Sequence, residues 1–345
     1  MPDFATRLLA WFDQHGRHDL PWQHPRTPYR VWVAEVMLQQ TQVQTVMPYY
    51  QRFLLLFPDL RTLASAPLDD VLAAWSGLGY YSRARNLHRA AIHCMAAHAG
   101  ELPDRFDALA ALPGIGRSTA GAILAQAHGQ RLPILDGNVR RVLARHRAVT
   151  GDPGSAPVQS VLWELSQAAL PQARLADYTQ ALMDLGTTVC TRQRPGCGRC
   201  PLAEDCQAQL QGRVGEFPQA RKARTRPSRS LVMLRVRDEA QRILLRRRPP
   251  AGVWPGLWSL PEGRTLADAL ATLALAPTRS EPAALIRHEF THFSLEIAVH
   301  DVHIGSSRIA DEESRWLAPA EALSLGLPQP VRRLIERELA PELVP

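Results

Sequence analysis

Four of the five cysteines in this 345-residue chain fall in one stretch, "CTRQRPGCGRCPLAEDC". Cys190, Cys197, Cys200 and Cys206 are spaced C-x6-C-x2-C-x5-C. Structural zinc usually takes two short C-x2-C-type pairs, and only Cys197 and Cys200 form one here. A compact loop with four separate thiolates better suits the corners of a cubane iron–sulfur cluster; zinc is the alternative. The loop also carries Arg192, Arg194 and Arg199, which either grip phosphate or are simply solvated. Cys94, in "NLHRAAIHCMAAH", reads as a small buried residue.

Two carboxylates stand out next. Between Arg30 and Arg52, Glu35 is the only formally charged side chain, on a predicted helix that is apolar nearly all round and puts Val31 and Leu38 on its face. Desolvation there raises a carboxyl pKa and suits a general acid near neutral pH; the bland reading is a buried Glu paired with an Arg. Asp136 opens "DGNVRRVLARH" directly after "LPIL". It reads as the N-cap of that helix, and a rigid capping carboxylate at a pocket edge can also stabilise a cation.

The elements that must hold these groups divide by period. Residues 1–210 read as helical, with apolar residues at three- and four-residue spacing punctuated by Gly and Pro. In "LPGIGRSTAGAIL", Gly114 and Gly116 form a tight turn into a helix starting near Ser118. Such a turn can present backbone N–H groups to phosphate, or merely connect two helices. Residues 211–229 read as a basic linker. From 230 to 345 the period becomes that of strands: "RSLVMLRVRD" and "QRILLRRR" read as strands, and "FSLEIAVHDVHI" puts Phe293, Leu295, Ile297 and Val299 on one face. "QPVRRLIERELA" reads as a final helix. The expected fold is multidomain, an all-α domain followed by a small α+β domain.

Composition narrows the class. The formal net charge of +7 favours a polyanionic partner, although Arg-rich composition alone could produce it. Apolar runs such as Leu54–Phe57 are too short for a bilayer, and the start of the chain reads as an amphipathic helix rather than a signal peptide. A cytoplasmic protein is expected, in which clustered thiols stay reduced.

The segments "LPWQ", "EVMLQQTQV", "GLGYYSRARNLH", "LPGIGRSTAGAIL", "ILDGNVRRVL" and "QALMDLGTTVC" precede the cysteine loop in order and with it cover most of residues 18–206. Together they closely resemble the MutY-type adenine DNA glycosylases of the helix–hairpin–helix superfamily, which includes endonuclease III. The resemblance implies a [4Fe–4S] cluster on Cys190, Cys197, Cys200 and Cys206. It implies a monomeric, bacterial, nucleoid-associated enzyme of base excision repair. Its partner would be double-stranded DNA carrying adenine opposite 8-oxoguanine or guanine. Adenine would be flipped out and its N-glycosidic bond hydrolysed, the flip costing least at a mispair.

By the same resemblance Glu35 protonates adenine N7 and Asp136 steadies the cationic sugar. Asn138 and Tyr80 surround the pocket and its mouth, and Trp22 and Gln180 line the adenine side. Gln40 is the wedge in the base stack, and Thr41 and Leu78 lie against the opposite base. Bifunctional relatives carry a Schiff-base lysine after the hairpin, where this chain has Ser118. Its single lysine, Lys222, lies in the linker, so a monofunctional enzyme leaving an abasic site is expected.

"GVWPGLWSLPEG" resembles the start of a Nudix fold. Counting the hydrolase box G-x5-E-x7-R-E-x2-E-E from Gly263 places Ala269 at the first Glu and Pro277-Thr278 at the Arg-Glu pair, so its Mg²⁺ site is absent from the sequence. The domain is expected to read 8-oxoguanine instead. The family's Phe-Ser-His loop falls on Phe290, Thr291 and His292, the alternative being a strand edge with a capping hydroxyl. An endonuclease III-like pyrimidine glycosylase/lyase is the nearest rival function. A cluster-based redox protein and a non-catalytic DNA-binding module are more distant ones.

Overall fold

The computed structural model describes residues 3–219, 226–273, 279–290, 292–304 and 313–339. Its contacts divide the chain into two units, Met1–Ser65 with Asn86–Ala223, and Ala66–Arg85 with Arg224–Pro345.

The first unit is helical. Helix Phe4–His15 starts on Asp3, whose side chain accepts from the Thr6 N–H, and it buries Ala5, Leu8, Leu9 and Phe12. Helix Pro28–Leu38 carries Pro at its first turn, where a missing N–H costs nothing, and Thr27 caps it by accepting from the Arg30 N–H. Val31, Trp32, Val33, Ala34, Val36 and Met37 are all buried, so this helix is enclosed on most sides, as its apolar sequence requires. It packs on helix Arg117–His128, which buries Ala120 through Gln126. A Cβ on Gly121 would lie 2.6 Å from the Pro133 carbonyl oxygen, so only glycine lets "LPIL" run this close to that helix. "LPIL" leads into helix Gly137–His146, and helix Leu175–Thr188 packs beside both. Cys94 is fully buried.

The linker's first half is ordered on this unit. Phe217 is 1% exposed, its carbonyl accepting from Arg145 Nε at 2.8 Å, and Gln219 Oε1 accepts from the Gly151 N–H at 2.7 Å. Lys222 lies outside the described residues.

The second unit is built on a mixed sheet ordered Trp258–Ser259, Ile243–Arg247, Ser228–Arg237, Ser294–His303, Arg279–Glu289. Ser228–Arg237 runs parallel to Ser294–His303, and the other described pairings are antiparallel. Leu295, Ile297 and Val299 are buried on one face, matching the alternation in the sequence. Strand Arg279–Glu289 has no such alternation and contains Pro282, next to a register shift at Pro282/Ala284. It lies at the sheet edge, where Pro removes no ladder bond. Helix Gln329–Leu339 closes the described chain.

Ala269, at the first Glu position of the hydrolase box, is fully buried in the core with Leu234, Val236, Leu244, Leu273 and Val302. Pro277 and Thr278 lie outside the described residues.

Unbroken helical periodicity gave residues 1–210 as one domain, but Ala66–Arg85 cluster with the C-terminal residues instead. The reason lies in long-range hydrogen bonds. Tyr81 Oη donates to the Leu327 carbonyl at 2.6 Å, Arg332 Nε donates to Ser76 Oγ at 2.9 Å, and Arg85 Nη1 donates to the Pro255 carbonyl at 2.7 Å. Arg247 pairs with Asp69 on helix Leu68–Ala74.

Candidate active site and cysteine loop

Glu35 sits in the last turns of helix Pro28–Leu38, facing Gln126 on helix Arg117–His128. Gln126 Nε2 donates to Glu35 Oε1 at 2.7 Å. Burial pushes the Glu35 carboxyl up to about 7; the Gln126 bond opposes this, and the nearby charge of Asp136 adds to it. No Arg is paired with Glu35 among the described contacts, which removes the bland reading of a buried ion pair.

Asp136 is the N-cap of helix Gly137–His146, accepting from the Val139 N–H at 2.8 Å. Its pKa is also raised, by burial first, against backbone hydrogen bonds from Val139 and Asn138 and the charges of Arg141 and Arg140. Asn138 Nδ2 lies 3.4 Å from Asp136 Oδ2, and Arg141 Nη2 donates to Asn138 Oδ1 at 2.9 Å.

A cavity of about 820 Å³ opens over these groups. Its wall includes Asp136, Asn138, Trp22, Gln180, Gln40 and Thr41. Six expected site residues of the first unit therefore meet at one cavity. Glu35 is not part of the wall itself; Leu38, one turn further on its helix, is. The mutual electrostatic influence of Glu35 and Asp136 puts the acid just behind that wall. Trp22 is 2% exposed and packs edge-on against Tyr50. Gln40 is exposed with φ 59°, a left-handed backbone that non-glycine residues adopt at a cost and that clusters at functional sites.

The hairpin joins Phe106–Ala110 to Arg117–His128. Gly114 has φ 79°, and a Cβ there would lie 2.7 Å from Asn86 Cβ. Gly116 caps the second helix with open space around its Cβ direction, leaving the backbone approachable. Ser118 is occupied internally: its Oγ accepts from the Leu135 N–H at 2.9 Å, pinning the residue before Asp136.

Cys190, Cys197, Cys200 and Cys206 line one cavity walled by Val142, Leu185, Val189 and Leu202. Among the described residues no group of three or more His, Cys, Asp or Glu draws close enough for a single metal ion; the four thiols surround a space instead. Burial raises the thiol pKa at Cys197, Cys206 and Cys200, the last to about 11. Four thiolates can coexist here only with cationic metal between them. The donor set and its apolar wall fit such a group.

Helix Gly137–His146 grips this loop. Arg145 is 3% exposed and donates to the carbonyls of Phe217, Thr191 and Arg192, with Nη1 also 3.4 Å from Cys190 Sγ. Arg141 donates to the Cys190 and Gly186 carbonyls. One helix thus carries Asp136 at its start and the loop's anchors along its length. Arg192, Arg194 and Arg199 are exposed, and Arg199 donates to the Thr188 carbonyl.

Leu78 and Tyr80 belong to the second unit, in a turn where Gly77, Gly79 and Tyr80 have φ 105°, 72° and 50°. Arg83 braces the turn by donating to the Leu78 and Gly79 carbonyls. Leu78 is buried and Tyr80 exposed. At the turn after strand Arg279–Glu289, Phe290 stacks on Phe293 with ring centroids 4.5 Å apart, and Trp254 and His288 pack on Phe290. His292 is exposed. Thr291 lies outside the described residues.

Residues 33–168 match the model of the HhH-GPD superfamily of base excision DNA repair proteins, and residues 232–337 match the NUDIX domain. Adenine DNA glycosylase of Buchnera aphidicola from Acyrthosiphon pisum is 34% identical, covering 96% of this chain and 97% of its own. The chain belongs to the adenine DNA glycosylase family. Adenine DNA glycosylase of Homo sapiens is 48% identical over 59% of this chain and 39% of its own. Among solved structures, a thermostable thymine-DNA glycosylase covers 60% of this chain at TM-score 0.56 and 25% identity. A non-covalent endonuclease III–DNA complex covers 60% at TM-score 0.52 and 22% identity, a likeness of fold.

Sequence reasoning passed over Gln126, Asp184, Arg17 and Arg141. Gln126 left a signal, being the one amide within the buried run of its helix. No helix among the described residues is long and apolar enough to cross a membrane.

Proposed function

We propose that this protein is a monofunctional adenine DNA glycosylase acting on adenine opposite 8-oxoguanine or guanine in duplex DNA. The observation that carries the reading is a Glu35 carboxyl with pKa about 7, held by Gln126 behind a cavity edged by the Asp136 carboxylate. An adenine anion leaves poorly, so a proton from Glu35 to N7 lets the C1′–N9 bond break with its electron pair passing to the neutral base. Positive charge then develops on the sugar, where Asp136, immobilised by the Val139 N–H, stabilises it without reorganisation. Water adds to C1′ and gives up a proton, leaving an abasic site.

The cavity of about 820 Å³ is large enough for a flipped nucleoside. The open backbone at Gly116 suits contact with a DNA phosphate. Gln40, strained and exposed at the cavity rim, suits the wedge, with Thr41 beside it. Cys190, Cys197, Cys200 and Cys206 would hold a [4Fe–4S] cluster, which would supply a rigid cross-link ordering the loop with Arg192 and Arg194. The engagement of Ser118 with Leu135 leaves no amine for a lyase step. The aromatic group at Phe290, with Thr291 and His292, is offered for contact with 8-oxoguanine, and Leu78 and Tyr80 for the mispair.

The test uses duplexes with A opposite 8-oxoguanine, G, C or T, followed by alkaline cleavage of abasic sites. Adenine release from the first two, abolished in Glu35→Gln with mispair binding retained, is expected. Efficient release of pyrimidine lesions, or a borohydride-trapped adduct, overturns the reading.

A further inference from the structure

At the cavity wall, Gln180 is 3% exposed, and its carbonyl oxygen Oε1 is buried with no hydrogen-bond partner in the protein. Leaving a buried carbonyl unpaired costs about 1–3 kcal/mol, so its orientation needs a cause. The cause lies behind it. Gln180 Nε2 donates to Asp184 Oδ1 at 2.7 Å, one helical turn along Leu175–Thr188. Asp184 is fully buried, and Arg17 holds it on three donors: Nε and Nη2 reach Oδ1 at 2.9 and 2.6 Å, and the Arg17 N–H reaches Oδ2 at 2.8 Å. An ionised carboxylate only accepts. The amide nitrogen must therefore face Asp184, and the carbonyl must face the cavity.

We propose that Asp184, fixed by Arg17, is a positioning residue that locks the Gln180 amide so that its oxygen accepts from the exocyclic amine of a 6-aminopurine and rejects a 6-oxopurine. The inference rests on the adenine glycosylase reading and adds the origin of base selectivity. The lock makes the site single-valued. A free glutamine amide offers a donor or an acceptor after a half-turn of its last torsion, whereas this one offers only an acceptor. A carbonyl at position 6 would meet oxygen with oxygen in a dry wall.

The experiment measures single-turnover release of adenine and hypoxanthine from the same duplex, opposite the same base, by the full-length chain with melting as the folding control. Wild type is expected to favour adenine. Asp184→Asn, whose amide can donate to Gln180 Oε1 and turn it, should cut the adenine-to-hypoxanthine preference roughly ten- to hundredfold. Gln180→Met should cut it similarly, and the double variant should lose no more than the larger single loss. Gln180→Glu should keep the preference: two adjoining carboxyls share one proton on the Asp184 side, leaving an acceptor toward the cavity. This variant keeps the test decisive if Asp184→Asn does not fold. Unchanged preference in folded Asp184→Asn, additive losses in the double variant, or loss in Gln180→Glu overturns the inference. Failure of wild type to release adenine would instead overturn the underlying functional reading.

Discussion

Replacing Glu35 by Gln should stabilise the protein, and only at neutral to alkaline pH. The ordinary carboxyl value is 4.5, and burial lifts this one to about 7. Below about pH 4.5 the group is protonated in both folded and unfolded states, so it contributes no difference. Between these values the unfolded chain loses its proton while the folded chain retains it. Above about 7 the folded protein carries a desolvated charge beside Asp136. The folded pKa is raised, so stability is highest at low pH and is lost as pH rises through about 7. At about 1.4 kcal/mol per pH unit the penalty reaches roughly 3 kcal/mol on the alkaline side.

A glutamine at position 35 keeps a carbonyl to accept from Gln126 Nε2 but cannot ionise. Melting followed from pH 5 to pH 9 should show the variant and wild type converging at the acid end. At the alkaline end the variant should melt higher, by up to about ten degrees for a unit of this size. Melting curves that stay parallel across the range, or a variant less stable at pH 9, would refute the claim that Glu35 is held by burial rather than by a cation. The same variant should bind the mispair without releasing adenine, separating the proton's catalytic role from its structural cost.

Other perturbations probe the supports of the site. Gln126→Leu removes the one hydrogen bond that lowers the Glu35 pKa, so the alkaline limb of the single-turnover pH–rate profile should move upward; a downward move would contradict the assignment. Arg145→Met leaves the carbonyls of Phe217, Thr191 and Arg192 without their donor. It should destabilise the first unit by roughly 3 kcal/mol and lower the iron content of the purified protein, read by melting and metal analysis. Gly114→Ala puts a Cβ 2.7 Å from Asn86 Cβ at φ 79°, which should cost about 1–3 kcal/mol and weaken binding to mispaired and matched duplexes alike.

The signals legible in the sequence were local. Charge isolation at Glu35 predicted a desolvated acid because nothing within two turns either side could neutralise it, and burial raises that carboxyl as expected. Asp136 announced itself as an N-cap through its place before a helical period, and it caps as read. The cysteine spacing concentrated four thiols in one loop, and they line one cavity. Alternation in "FSLEIAVHDVHI" fixed which face of that strand is buried, while Arg279–Glu289 escaped notice because an exposed edge strand has no buried face to impose a pattern. Partnership across distant sequence was decided by tertiary structure alone. Asp184 looked like one more helical acid until Arg17, 167 residues away, accounted for its charge and its hold on Gln180. Residues 66–85 share the helical period of their neighbours, yet their hydrogen bonds run to residues 250 positions later. Periodicity reports which face of an element is apolar; it carries no information on which distant surface will cover that face.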